Sequence, residues 1–243
     1  MKKISRFRRN YIRRLICRII IFFILIGIYI MYPNTFEVCK GMNIFKMISP
    51  LHILWIVWMI DMILQLCKVP SYWPLGSQKF WEYRYLENIK KIDKNTLKTY
   101  IKELNKGCIA IAITWLLVIA IIATLYFSNT ISYQVVILIS AFFYVCDTIC
   151  IVCWCPFKTF YMHNKCCTTC RIFNWDHSMM FVHLLVLPGL WTYSLVVMAL
   201  IVLIVWEITC ALYPERFMEM TNSALQCQNC KDRLCGRPID ENN

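Results

Sequence analysis

The sequence predicts an all-α integral membrane protein with about six membrane helices: five full spans and one short or re-entrant arm. Three observations carry that expectation. Hydrophobic residues make up 59% of the 243-residue chain and charged residues only 16%, a balance that a water-soluble domain cannot hide. The apolar residues gather into runs, and a run of about 18 or more crosses the roughly 30 Å hydrocarbon core of a bilayer. The basic residues, which give a net charge of +12, collect beside the ends of those runs.

The first run, residues 15–32, follows a tail carrying Lys2, Lys3, Arg6, Arg8, Arg9, Arg13 and Arg14 and no acid. It ends in Met31, Tyr32 and Pro33 without a small-x-small cleavage site, so it reads as an uncleaved anchor rather than a signal peptide. Further spans are expected at 45–67, 108–127 and 134–154. Residues 174–213 are also apolar, but about 40 residues of unbroken helix would measure about 60 Å. Their only breaker is Pro188-Gly189, which predicts a helical hairpin: a short arm at 176–187, a turn at 188–193 and a last span at 194–213.

The chain thus divides into a membrane domain, 1–213, and a cysteine-rich tail, 214–243. Within loop 68–107 the pattern predicts a helix from Asp93 to Lys106, with Leu97, Ile101 and Leu104 on one face and Gly107 as its stop. A basic amphipathic helix of this kind is expected to lie on the membrane surface.

Charge sets the orientation. Eight basic residues precede or enter the first span, counting through Arg18, and nine fall between Lys68 and Lys106. Lys158, Lys165 and Arg171 mark the cysteine-bearing loop, 153–178, whereas 33–46 holds only Lys40 and Lys46. Positive residues near short loops stay on the cytoplasmic side, which places the N-terminus, the long loop, the cysteine loop and, with a closed hairpin, the tail in the cytoplasm. Orientation and anionic headgroups account for the basic charge, so no nucleic-acid partner is expected. The lipid bilayer is the expected partner, together with a membrane or cytoplasmic protein. Abundant Ile, Lys and Asn with few Gly and Ala suit an AT-rich bacterial genome, and hence a bacterial plasma membrane.

The sequence carries no glycine-rich phosphate loop, no His-Glu-x-x-His and no Gly-x-Ser-x-Gly, so no enzyme class is indicated. Its chemistry lies in 15 cysteines, most of them in two clusters. One cluster is Cys153-Trp154-Cys155-Pro156 with Cys166, Cys167 and Cys170; the other is Cys227, Cys230 and Cys235. A Cys-x-x-Cys turn aims two thiolates at one ion, and two such turns complete a tetrahedral sulfur shell. Cys167, Cys170, Cys227 and Cys230 would form a zinc clasp between loop and tail, and all eight clustered cysteines would suffice for iron–sulfur clusters. Thiol–disulfide exchange is the alternative chemistry. Cys146, Cys150 and Cys153 stand at helical spacing, either as packing or as a soft-metal path. Cys17, Cys39, Cys67, Cys108 and Cys210 read as small apolar side chains.

Asp61, Asp147 and Glu207 lie inside apolar runs, each roughly 10 Å from the proposed cytoplasmic end, and are expected to form one polar layer. His163 is placed to substitute for a thiolate, His52, His177 and His183 to pack, and Asn174-Trp175-Asp176 to cap a helix. Two function classes follow: a membrane-bound metal or electron-transfer protein, and a non-catalytic membrane component whose zinc clasp locks the hairpin and displays a docking surface.

Overall fold

The computed structural model describes residues 5–67, 79–88, 93–230 and 234. Six α-helices appear in order: α1 (Arg6–Met31), α2 (Leu51–Leu66), α3 (Lys94–Phe127), α4 (Tyr133–Val152), α5 (Asp176–Phe181) and α6 (Leu190–Leu212). No strand is present among the described residues, only isolated backbone bridges. Four helices, namely α1, most of α3, α4 and α6, are long and apolar enough to cross a membrane. Their outer faces, including Phe23 and Ile30 on α1 and Leu116 and Ile121 on α3, are exposed and apolar, compatible with a lipid environment.

The second expected span is shorter than the apolar run that predicts it. Phe45 closes a single 3₁₀ turn, and the helix starts only at Leu51, just after Pro50. Residues 33–39 form a 3₁₀ segment that buries Phe36, Val38 and Cys39 instead of lying outside the bundle. At 1.5 Å per residue, α2 is about 24 Å long.

Gly107 does not stop a helix. The expected surface helix and third span are one continuous α3 of 34 residues, capped at its start by the Asp93 carboxylate, which accepts from the Asn95 N–H at 3.2 Å. Close approach explains the glycine: a Cβ there would lie 2.8 Å from Met162 Sδ and 2.9 Å from the Tyr161 carbonyl oxygen. The apolar face of Leu97, Ile101 and Leu104 packs on Met162, Ile172 and Met218, so protein covers it rather than the bilayer surface.

The hairpin forms with shifted boundaries. Its first arm is α5 continued by a 3₁₀ segment, Val182–Val186, and α6 begins at Leu190 immediately after the break. Gly41 N–H donates to the Pro188 carbonyl at 2.9 Å and Leu190 N–H to the Gly41 carbonyl at 2.8 Å, which stitches the turn to the segment after α1. The core centres on Trp58, whose ring meets Tyr144, Phe181 and Trp191 at centroid distances of 5.9, 5.0 and 5.9 Å. α1 packs on α4, α2 on α6, and α5 against both α4 and α6.

The tail docks rather than trailing. Ser223 N–H donates to the Leu86 carbonyl at 2.8 Å, Asn88 N–H to the Thr221 carbonyl at 3.0 Å, and Phe217 stacks on Phe80 at 4.8 Å.

Gly189 gives a direct test of the stitched turn, because a Cβ there would sit 2.0 Å from the Cys39 carbonyl oxygen. Gly189→Ala should lower stability by ~1–3 kcal/mol through overpacking. Gly27→Ala, at a helical position with nothing within 4 Å, should be neutral or slightly stabilising. Thermal melts of the two variants in one detergent check the contrast.

Candidate functional site

Two cavities adjoin where α4 meets α5. The first is charged and is organised by Arg18. This residue lies four positions inside the apolar run of α1, where a guanidinium is costly unless carboxylates meet it. It donates through Nη1 to Asp147 Oδ2 at 2.7 Å, to the Tyr144 carbonyl at 2.8 Å and to Thr148 Oγ1 at 3.1 Å. Through Nη2 it reaches Asp61 Oδ2 at 3.1 Å, and its plane lies 3.6 Å from the centroid of the Tyr144 ring. Tyr144 closes the group by donating its hydroxyl to Asp61 at 3.1 Å. One residue of α1 thereby holds α2 and α4 through charge-assisted bonds, the strong class of hydrogen bond.

Beside it, Gln65 donates through Nε2 to both carboxylate oxygens of Asp176 at 2.9 Å, and His177 Nδ1 lies 3.1 Å from Gln65 Oε1 and 3.2 Å from Asp176 Oδ1. Asp176 and His177 therefore anchor the start of α5 to the end of α2. Asn174 makes no helix cap: α5 has no side-chain cap, and both polar atoms of the Asn174 amide are buried without a partner.

The structure brings together two of the three intramembrane acids expected in one layer. Asp61 and Asp147 share Arg18, whereas Glu207 belongs to a separate group. It accepts from Arg171 Nη2 at 2.7 Å and Trp175 Nε1 at 2.8 Å, and Arg171 also contacts Asn105. The Arg18 cluster is less open to solvent: the Asp147 side chain is 16% exposed and that of Glu207 35%.

The second cavity, of about 240 Å³, is lined by sulfur. Cys146 and Cys150 of α4, Cys155 just beyond it, and Cys167 and Cys170 of the loop share its wall with Met179, Met180 and the rings of Trp115, Phe143 and Phe157. Asp147 and Asp176 also line it, so they separate the two cavities. Local chain geometry places the thiols. Cys153 and Trp154 N–H groups both donate to the Ile149 carbonyl, at 2.8 and 3.2 Å, which turns the chain at the end of α4. Pro156 then opens a new helical turn, for which its fixed φ and missing N–H suit it. Cys155 caps that turn with its sulfur 3.5 Å from the Lys158 N–H.

The Cys155 sulfur is in hydrogen-bond contact with Cys150 and with Cys167, and it accepts from the Lys158 and Phe157 amides; together these hold the Cys155 thiol well below its ordinary pKa. The hydrogen bond to Cys155, joined by burial, pushes Cys167 up, and burial pushes Cys170 up.

Of the other expected ligands, Cys153 is exposed and Cys166 is half-buried, with its sulfur 3.2 Å from Thr168 Oγ1. Cys227 and Cys230 lie on a 3₁₀ turn, Cys227–Asn229, and the residue after it; the turn packs against Ser223–Leu225. Loop and tail touch elsewhere, where Thr169 donates to Glu219 at 3.1 Å. Cys235 lies outside the described residues. Among the described residues no group of three or more His, Cys, Asp or Glu is arranged to hold a metal ion, so the four-sulfur clasp is not assembled as drawn. Cys39, Cys108 and Cys210 are buried, as expected of packing residues, whereas Cys17 and Cys67 are exposed. His183 is fully buried, with Nε2 3.0 Å from Ser140 Oγ.

Sequence reasoning missed Arg18 by counting it with the basic tail. Its position inside an apolar run, opposite two intramembrane acids, was the available signal. Removing it leaves Asp61 and Asp147 without their cation, so Arg18→Met should cost ~3–5 kcal/mol. Arg171→Met, which strands the more open Glu207, should cost clearly less. Denaturation of both variants in the same detergent checks the order.

No known protein family, curated protein or solved structure matches this chain.

Proposed function

We propose that this chain is a multi-pass protein of a bacterial plasma membrane, with its N-terminus and cysteine loop in the cytoplasm, and that it handles a thiophilic metal ion in the sulfur-lined cavity. The observation that carries this reading is the convergence of cysteines from α4, from the turn after it and from the loop on one cavity with thioether and aromatic walls. Thiolate and thioether ligands select soft ions such as copper(I), zinc and the iron of iron–sulfur clusters. In this reading α2 and the α5 arm enter the bilayer without spanning it alone, and α3 extends into the cytoplasm at its basic start. The tail cysteines Cys227, Cys230 and Cys235 serve a separate or later site: a zinc clasp or an iron–sulfur centre that forms when loop and tail close further around their Thr169–Glu219 contact.

One observation favours a second reading, thiol–disulfide exchange. The Cys155 thiol is held below its ordinary pKa by Cys150 and Cys167, and a nucleophilic thiol with neighbouring thiols suits an attacking and a resolving cysteine.

Elemental analysis of the purified protein, together with its absorbance and its disulfide map, separates the readings. The metal reading expects bound thiophilic metal in the parent and its loss in Cys155→Ser. A metal-free parent with Cys155 bridged to Cys150 or Cys167, and reducible by dithiothreitol, would establish the exchange reading instead.

A further inference from the structure

We propose that the sulfur cavity takes one monovalent ion of the copper(I) class, held in two-coordinate fashion between the sulfurs of Cys150 and Cys155. The inference rests on the metal-handling reading and adds the ion's class and its ligands.

Coordination number is the first argument. Zinc asks for four ligands, and iron–sulfur clusters for four thiolates, whereas no group of three ligating side chains is gathered among the described residues. Two sulfurs satisfy a soft monovalent ion, which forms stable linear bis-thiolates. The second argument is the wall. Among the described residues, the carboxylates lining the cavity are already engaged, Asp147 by Arg18 at 2.7 Å and Asp176 by Gln65 at 2.9 Å. What the cavity offers an incoming ion is therefore sulfur: the cysteines and the thioethers of Met179 and Met180. That donor set favours a soft ion over one that needs oxygen ligands or water.

The third argument picks the pair. Cys150 stands in the last turn of α4 and Cys155 five residues on, with the intervening chain closed by the two bonds to the Ile149 carbonyl. Their separation is set by one rigid piece of backbone. Cys167 reaches the cavity from the loop, on the 3₁₀ turn Cys167–Thr169, so that backbone does not set its separation from Cys155. Binding joins the two sulfurs and one monovalent cation in an anionic bis-thiolate. Two sulfur–metal bonds form, each sulfur that still carries a proton releases it to solvent, and no electron moves. The Lys158 N–H, 3.5 Å from the Cys155 sulfur, faces the negative charge that results.

The test uses the full chain in detergent, stripped of metal with a chelator and titrated with copper(I) under a reductant against a competing copper(I) chelator. A parallel titration uses zinc. The expected result is one copper(I) per chain, coordinated by two sulfurs in X-ray absorption, with release of protons into a weak buffer. Cys150→Ser and Cys155→Ser should abolish binding, Cys167→Ser should weaken it roughly 10-fold as outer-shell partners do, and Cys17→Ser, at an exposed position outside the cavity, should leave it unchanged. Thermal melts matching the parent establish that the serine variants fold. Binding of zinc alone, at three or four sulfurs, would overturn this inference while leaving the metal reading in place. Binding of neither ion would overturn both. Copper(I) that survives loss of Cys150 or Cys155 would overturn the assigned pair.

Discussion

Arg18 is the residue on which the arrangement of the other helices depends. A guanidinium within an apolar helix has few acceptable surroundings, and the chain provides one: carboxylates from α2 and α4, a carbonyl and a hydroxyl from α4, and the face of Tyr144. Each partner fixes a different helix or rotamer. Asp61 sets the rotation of α2, Asp147 that of α4, and the Tyr144 hydroxyl ties the two acids together. Apolar packing between lipid-facing helices gives little orientational preference, because lipid tails are as apolar as leucine. A charge cluster with few solutions supplies that preference. Leaving one member of such a buried group without its partners is costly, so the cluster favours one arrangement among many with similar burial.

The consequence reaches the cysteines through α4. Cys146 and Asp147 are neighbours on one helix and Cys150 lies one turn on, so the bond that fixes Asp147 also fixes which way the two sulfurs face. From the other side, Gln65 at the end of α2 holds Asp176, and Asp176 starts the arm that carries Met179 and Met180 to the same cavity. Charged and sulfur-lined cavities are thus neighbours by construction, separated by two acids with partners of their own. This is why the cavity presents soft donors to a ligand even though carboxylates line it.

Much of the fold was legible in the sequence. Long apolar runs marked α4, α6 and the end of α1 to within a few residues, although α1 begins at Arg6, nine residues before its run, and the chain breaks at Pro188-Gly189 as the sequence suggests. Hydropathy could not see where an apolar run leaves helical conformation to bury itself as loop, so the run from Phe45 overstated α2. Nor could it tell that Gly107 serves a close helix approach rather than an end. Their place inside apolar runs drew attention to Asp61 and Asp147, but pairing is a property of three dimensions: Arg18 read as part of the basic tail and Glu207 as a third member of the layer. For the cysteines, spacing pointed to the turns Cys167–Cys170 and Cys227–Cys230. The cysteines that line one cavity also include Cys146 and Cys150, which helical spacing left between packing and a soft-metal path, and the turn at the end of α4 brings Cys155 beside them.

The claim that Arg18 orients the bundle is tested most directly by a double-mutant cycle between Arg18→Met and Asp147→Asn, with stability measured by reversible denaturation in detergent. Two residues joined at 2.7 Å within a shared charge cluster should show strong coupling. The double variant should recover much of what either single variant loses, with an interaction energy of about 1.5–3 kcal/mol. Losses that add to within about 0.5 kcal/mol would mean that the two residues act independently, and the helices would then owe their arrangement to packing alone.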